Sequence, residues 1–172
     1  QADIVRSRLR QRYPQMTFDL SIIKTTGDAI VDTPLTKMMG TGVFVKEIEA
    51  ALLSGEIDLA VHSLKDLPTQ ITDGLTVSAV LERGSVEDAF VSASFERLAD
   101  MPAGAVVGTS SYRRAVQVRR ANPGVSIKDI RGNVETRIKK LEQREYDAII
   151  MAAAGLERLG LDPRIRERLN FL

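Results

Sequence analysis

Ile4, Val5 and Leu9 stand among arginines between Ala2 and Tyr13, a spacing that predicts an amphipathic helix stopped before Pro14. Thr17 to Thr25 (TFDLSIIKT) is rich in β-branched and apolar residues and predicts a strand. Thr26 to Gly42 holds Gly27, Pro34, Gly40 and Gly42 with no sustained period and reads as a long mobile loop. Phe44, Ile48, Ala51 and Leu52 then share one face of a helix predicted from Val43 to Ser54, with Gly55 as its stop. Ile57 to His62 and Leu75 to Leu81 are further strand candidates, the first running into the loop Ser63-Leu64-Lys65-Asp66-Leu67-Pro68.

Polar residues with one glycine, Glu82 to Glu87 (ERGSVE), interrupt this pattern, and strand and helix signals restart at Asp88 to Ser92. A hinge is placed there. Beyond it the alternation is clear. Strands are predicted at Ala105 to Gly108, Val125 to Ile130 and Asp147 to Ala152, with helices at Ser111 to Ala121 and Val134 to Arg144 between them. Strands alternating with helices imply βαβ units and a mainly parallel sheet. The expectation is an α/β protein of two small domains, residues 1–82 and 87–172, with a cleft between them as the natural ligand site.

Composition narrows the function classes. The chain has 172 residues, 44% hydrophobic and 27% charged, in the range of soluble globular proteins. No run approaches the length that spans a bilayer, and Gln1 to Tyr13 is too charged for a signal peptide, so a cytoplasmic location and no membrane partner are expected. With no cysteine and one histidine, His62, neither a disulfide framework nor a structural zinc site is expected, and no metal ligands are assigned. The net charge of +1 hides an asymmetry: from Val107 to Arg144 there are ten Lys and Arg against three Asp and Glu. An anionic partner or a pair of solvated helix faces would account for it. Few aromatics interleave these arginines, which argues against nucleic acid.

In open α/β sheets, ligands bind beyond the carboxyl ends of the strands, where helix N-termini also point. Three predicted strand ends carry polar clusters. Gly108-Thr109-Ser110-Ser111-Tyr112-Arg113-Arg114 combines a glycine, three capping hydroxyls and two arginines in the first helical turn. Free N–H groups there favour an anion, whereas arginine is unfavourable for the helix itself, so a bound carboxylate or phosphate would offset that cost. Capping hydroxyls with solvated arginines remain the plainer alternative. Arg131-Gly132-Asn133 with Arg137 is the second cluster: Asn133 suits an N-cap, Gly132 allows close backbone approach, and Arg137 leans back toward the helix start. His62 to Pro68 is the third. Asp66 is a candidate general acid/base or cation stabiliser beside Lys65, or else an ordinary turn residue.

These same residues carry a resemblance. VHSLKDLPT (Val61 to Thr69), VGTSSYRR (Val107 to Arg114) and IRGNVETR (Ile130 to Arg137) resemble signatures of the hydroxymethylbilane synthase (porphobilinogen deaminase) family. TTGD (Thr25 to Asp28), DTPL (Asp32 to Leu35), GVFVKEIEAAL (Gly42 to Leu52) and DAIIMAAAGLERLG (Asp147 to Gly160) do so too, in one order from end to end.

The resemblance implies a transferase that condenses four porphobilinogen molecules into hydroxymethylbilane, as a monomer, in tetrapyrrole biosynthesis. It implies two domains of the periplasmic-binding-protein type (type II), followed by a third that attaches a dipyrromethane cofactor through a cysteine. Neither that domain nor any cysteine is in this chain, and an opening strand before Gln1 is also missing, so a fragment without turnover of its own is expected. Carried over residue by residue, Asp66 becomes the catalytic carboxylate. Ser63, Lys65, Thr109, Ser110, Ser111, Arg113, Arg114, Arg131, Gly132 and Arg137 become cofactor-binding, and Phe44, Arg83 and Arg158 line the substrate channel. Thr41 and Tyr112 depart from the usual lysine and leucine of the family. The alternative kept beside this reading is a non-catalytic two-domain module holding an anionic ligand.

Overall fold

The computed structural model describes residues 1–23 and 45–170, so the expected loop from Thr26 to Gly42, together with Thr41 and Phe44, lies outside the described residues. The chain divides into two compact units, Gln1–Val80 and Leu81–Leu172.

In the first unit α1 spans Ala2–Arg12 and α2 spans Lys46–Leu53, both where the apolar spacing places them. Glu47 and Glu49 in the first turn of α2 suit the positive end of its dipole. A single 3-10 turn, Leu64–Asp66, follows. The strands expected at Thr17 to Thr25, Ile57 to His62 and Leu75 to Leu81 do not form among the described residues. Apolar β-branched runs become strands only where a second backbone supplies a hydrogen-bonding ladder, and among the described residues none is aligned with these. Ile22, Leu59, Val77 and Val80 are accordingly exposed.

The second unit carries a five-stranded sheet in the order β3-β2-β4-β1-β5, with β1 Asp88–Ser92, β2 Val106–Gly108, β3 Ser126–Lys128, β4 Ala148–Ala152 and β5 Glu167–Leu169. The expectation of a mainly parallel sheet needs correction. β2 pairs in parallel with β3 and β4, but β1 runs antiparallel to both β4 and β5, which makes the sheet mixed. Strand direction is decided by which distant segment supplies the ladder, and no local signal encodes it.

Helices α3 (Tyr112–Ala121), α4 (Val134–Glu142) and α5 (Ala153–Glu157) connect and follow these strands. Side chains alternate across the central pair, as the pleat requires. Ala89, Val91, Ile149 and Met151 join Ile138 and Leu141 of α4 and Leu156 of α5 in one buried cluster. Phe90, Ala148 and Ile150 join Val118 of α3, Leu98 and Leu169 in the other. Both faces of β1 and β4 are thus covered, and a ring such as Phe90, fully buried, contributes on the order of 1.5–3 kcal/mol.

Candidate functional site

The parallel strands β2, β3 and β4 end at Gly108, Lys128 and Ala152, and the antiparallel β1 begins beside the last of these, because Asp88 is in register with Ala152. Strand reversal therefore delivers an aspartate to the end of the sheet where the parallel strands stop and where α3 and α4 begin.

Each of these helices starts on a side-chain cap. Ser111 Oγ accepts from Arg114 N at 3.4 Å, and Asn133 Oδ1 accepts from Thr136 N at 2.9 Å and Thr136 Oγ1 at 2.8 Å. The two loops before them are tied together. Ser110 Oγ donates to the Ile130 carbonyl at 2.9 Å and accepts from the Ile130 amide at 3.0 Å, and Thr109 N donates to the Lys128 carbonyl at 3.0 Å. Thr109, almost fully buried, accepts from Ser111 N through Oγ1 at 3.2 Å. Behind them Gly108 lies against Tyr146, where an added Cβ would come within 2.8 Å of the ring. Tyr146 is itself fixed by donating to the Asp129 carbonyl at 2.6 Å, and Lys128 Nζ stands 4.9 Å from its ring centroid. Burial first, then the charges of Glu145 and Asp129, hold the Tyr146 phenol above its ordinary pKa.

Arg113 and Arg114 leave the first turn of α3 and converge on Asp88. Arg113 Nη2 reaches Oδ2 at 2.8 Å, while Arg114 reaches Oδ1 with Nη2 at 2.7 Å and Nε at 2.9 Å. Asp88 is 3% exposed, Arg114 largely buried and Arg113 half exposed. In the sequence Asp88 stands only as the start of a predicted strand. The available signal was an acid opening a run, DAFV, that is otherwise apolar. Asp88 also answers part of the argument for an external anion, because a resident carboxylate offsets the cost of two cations at a helix N-terminus.

Arg137 donates through Nε to the Gly132 carbonyl at 2.7 Å. Its guanidinium is held below the ordinary arginine pKa by burial and, second, by the positive charge of Arg114. Gly132, at φ 111°, makes the turn before Asn133, and Arg131 precedes it, half-buried, its carbonyl accepting from Lys140 Nζ at 3.4 Å. Thr109, Ser110, Ser111, Arg113, Arg114, Arg131, Gly132 and Arg137 thus belong to two neighbouring loop–helix junctions at one end of one sheet.

Arg83 and Arg158 are both exposed in the same unit. Arg158 follows α5, and its Nη2 would lie 3.5 Å from a Cβ placed on Gly84, the neighbour of Arg83. Next to them Ser85 Oγ is 2.7 Å from both carboxylate oxygens of Glu157, and Arg168 bridges Glu157 at 2.9 Å and Glu87 at 3.0 Å. In the first unit Asp66 ends the 3-10 turn, exposed, with its amide donating to the Ser63 carbonyl at 2.9 Å. Lys65 is exposed beside it, and Ser63 Oγ donates to Gln1 Oε1 at 3.1 Å. Among the described residues no acidic, histidine or cysteine cluster suits a metal ion, and no helix is long and apolar enough to cross a membrane.

The family described as porphobilinogen deaminase, dipyromethane cofactor binding domain, matches residues 1–171. The porphobilinogen deaminase of Chromobacterium violaceum is 52% identical over 169 residues, covering 98% of this chain and 55% of that protein. Those of Thiobacillus denitrificans and Methylobacillus flagellatus are 49% and 48% identical over 170 residues, each across 99% of this chain and 56% and 55% of the relative. The chain therefore spans about half the length of the curated relatives it matches.

Proposed function

The chain belongs to the porphobilinogen deaminase family, and from that premise we propose that it is the cofactor-holding part of a cytoplasmic, monomeric hydroxymethylbilane synthase. That enzyme joins four porphobilinogen molecules in turn, with loss of ammonia at each step. The observation that carries the reading is the arginine-rich end of the second sheet. There Arg113 and Arg114 meet the carboxylate of Asp88, Arg137 stands near enough to feel the charge of Arg114, and Arg131 heads the loop that leads to Arg137. Such a donor set fits a chain of pyrroles carrying an acetate and a propionate on every ring, since planar guanidinium groups take carboxylates edge-on.

When bound, the dipyrromethane would supply the free pyrrole carbon from which the chain is extended, ring by ring. The protein's own residues do the rest. Arg113, Arg114, Arg131 and Arg137 hold ring carboxylates, Thr109, Ser110 and Ser111 add neutral donors, and Gly132 lets the chain pass close to the backbone. Asp66 protonates the departing amine, offsets positive charge on the reacting ring and removes the ring proton after coupling. Ser63 and Lys65 flank it in the same turn. Phe44, Arg83 and Arg158 guide the substrate. The division of the chain at Val80 and Leu81, with a new sheet starting at Asp88, supports two domains of the periplasmic-binding-protein type hinged within Glu82 to Glu87.

The test compares Asp66→Asn with Arg131→Leu in the cofactor-loaded protein with its remaining length present. Asp66→Asn should lower kcat roughly a hundredfold or more with cofactor content kept. Arg131→Leu should instead reduce cofactor content or stall elongation, as each lost charge-assisted bond costs about 1.5–3 kcal/mol. Near-normal turnover in Asp66→Asn would leave that carboxylate an ordinary turn residue, and no turnover in the unsubstituted, cofactor-loaded protein would return it to an anion-binding module.

A further inference from the structure

A carboxylate at 3% exposure is costly to bury, and a buried ion pair is often no more stabilising than apolar residues of the same volume. Asp88 is therefore poorly explained by stability alone. It also lowers the net positive charge of a site that, on the functional reading above, takes up anions. A residue that weakens the field must contribute something else.

The contacts indicate what. Arg114 meets Asp88 along one edge of its guanidinium, through Nε and Nη2, and Arg113 meets it through one Nη. A guanidinium has five N–H donors, so each plane keeps donors pointing away from the aspartate. Asp88 is in turn held by its backbone in the middle of a three-strand ladder, between Ala152 and Leu169. It is an immobile anchor. Arg113, half exposed at the first turn of α3, would otherwise sample many rotamers.

We propose that Asp88 is a positioning residue, which fixes the planes of Arg113 and Arg114 so that their outer edges receive a pair of ligand carboxylates. The inference rests on the functional reading above for the nature of the ligand. Its mechanism is distinct: rotamer freedom is removed when the chain folds, before any ligand arrives, and affinity gains accordingly. Charge and order act in opposite directions here, which makes the sign of the effect diagnostic. If Asp88 merely neutralised the arginines, removing its charge would tighten anion binding; if it positions them, the same change weakens binding.

The experiment uses the 172-residue chain and Asp88→Asn, with porphobilinogen as probe. Calorimetry reads affinity, and NMR reads solvent exchange and motion of the Arg113 and Arg114 Nε–H groups. Positioning predicts about tenfold weaker binding in Asp88→Asn, with faster exchange at Arg114. Equal or tighter binding with unchanged exchange overturns it. If the unsubstituted chain shows no affinity for porphobilinogen, the functional reading fails, and the exchange data alone then decide whether Asp88 orders the two planes. Should Asp88→Asn unfold, the same measurements are made on Asp88→Glu, which keeps the charge but displaces it by one methylene. Weakened binding there supports positioning, and wild-type affinity overturns it.

Discussion

Arg137 lies close enough to Arg114 for the charge of one to depress the pKa of the other, in a place where Asp88 neutralises Arg114 but makes no bond to Arg137. The two arginines should therefore fail in different ways. Arg114→Gln strips Asp88 of its two-donor partner and should lower unfolding stability by about 1–3 kcal/mol. Arg137→Gln removes a like charge and should leave stability within about 0.5 kcal/mol of the parent, or raise it. Both should weaken porphobilinogen binding. Urea unfolding of the two variants checks this, and equal destabilisation would mean that the bond from Arg137 to Gly132 is structural.

Gly132→Ala should be among the costly single substitutions in the second unit. At φ 111° the backbone disfavours any side chain, and the new Cβ would lie 2.6 Å from Thr136 Cγ2. A loss of about 1–3 kcal/mol is expected. A cost below that in urea titration would show that the loop can relax, and that its shape is not set by this glycine.

Ser110→Ala leaves both backbone groups of Ile130 without the hydroxyl that pairs with them, beside a residue that is 1% exposed. Stability should fall by about 1–3 kcal/mol. The Ile130 amide should also exchange with solvent faster than in the parent chain, as hydrogen exchange would reveal.

Glu157 has a depressed pKa, through the Ser85 hydroxyl first and the Arg168 guanidinium second. A carboxyl depressed in the folded state adds stability above its unfolded pKa, near 4.5, and that contribution disappears as pH falls through the folded value. Melting temperature should thus drop below about pH 4.5 less steeply in Ser85→Ala than in the parent. Parallel profiles between pH 3 and pH 6 would rule out this contribution.

Local patterns carried the second unit well, because its helices are amphipathic and capped by Ser111 and Asn133, and its central strands are continuous apolar runs. They misled in the first unit, where Ile57 to His62 has the composition of a strand but no ladder partner among the described residues. β5 went unread for the opposite reason: Glu167-Arg168-Leu169 is too short and charged to look like a strand, and exists because β1 offers an edge. The arginines of the candidate site were legible as an excess of charge at two strand ends. Asp88 was not, since its place beside Arg113 and Arg114 depends on β1 running against β4. That is a long-range fact, invisible in any window of sequence.

The same reversal has a consequence for how the chain is made. β1 is the first strand of its unit to leave the ribosome, yet both of its neighbours, β4 and β5, are the last. Its five residues are all buried in the finished sheet, so the nascent segment must wait for about sixty more residues before either edge can be paired. At typical elongation rates that wait lasts roughly 3–12 s, far longer than an apolar strand takes to find another partner. The centre of the sheet is therefore completed only when almost the whole unit has been synthesised.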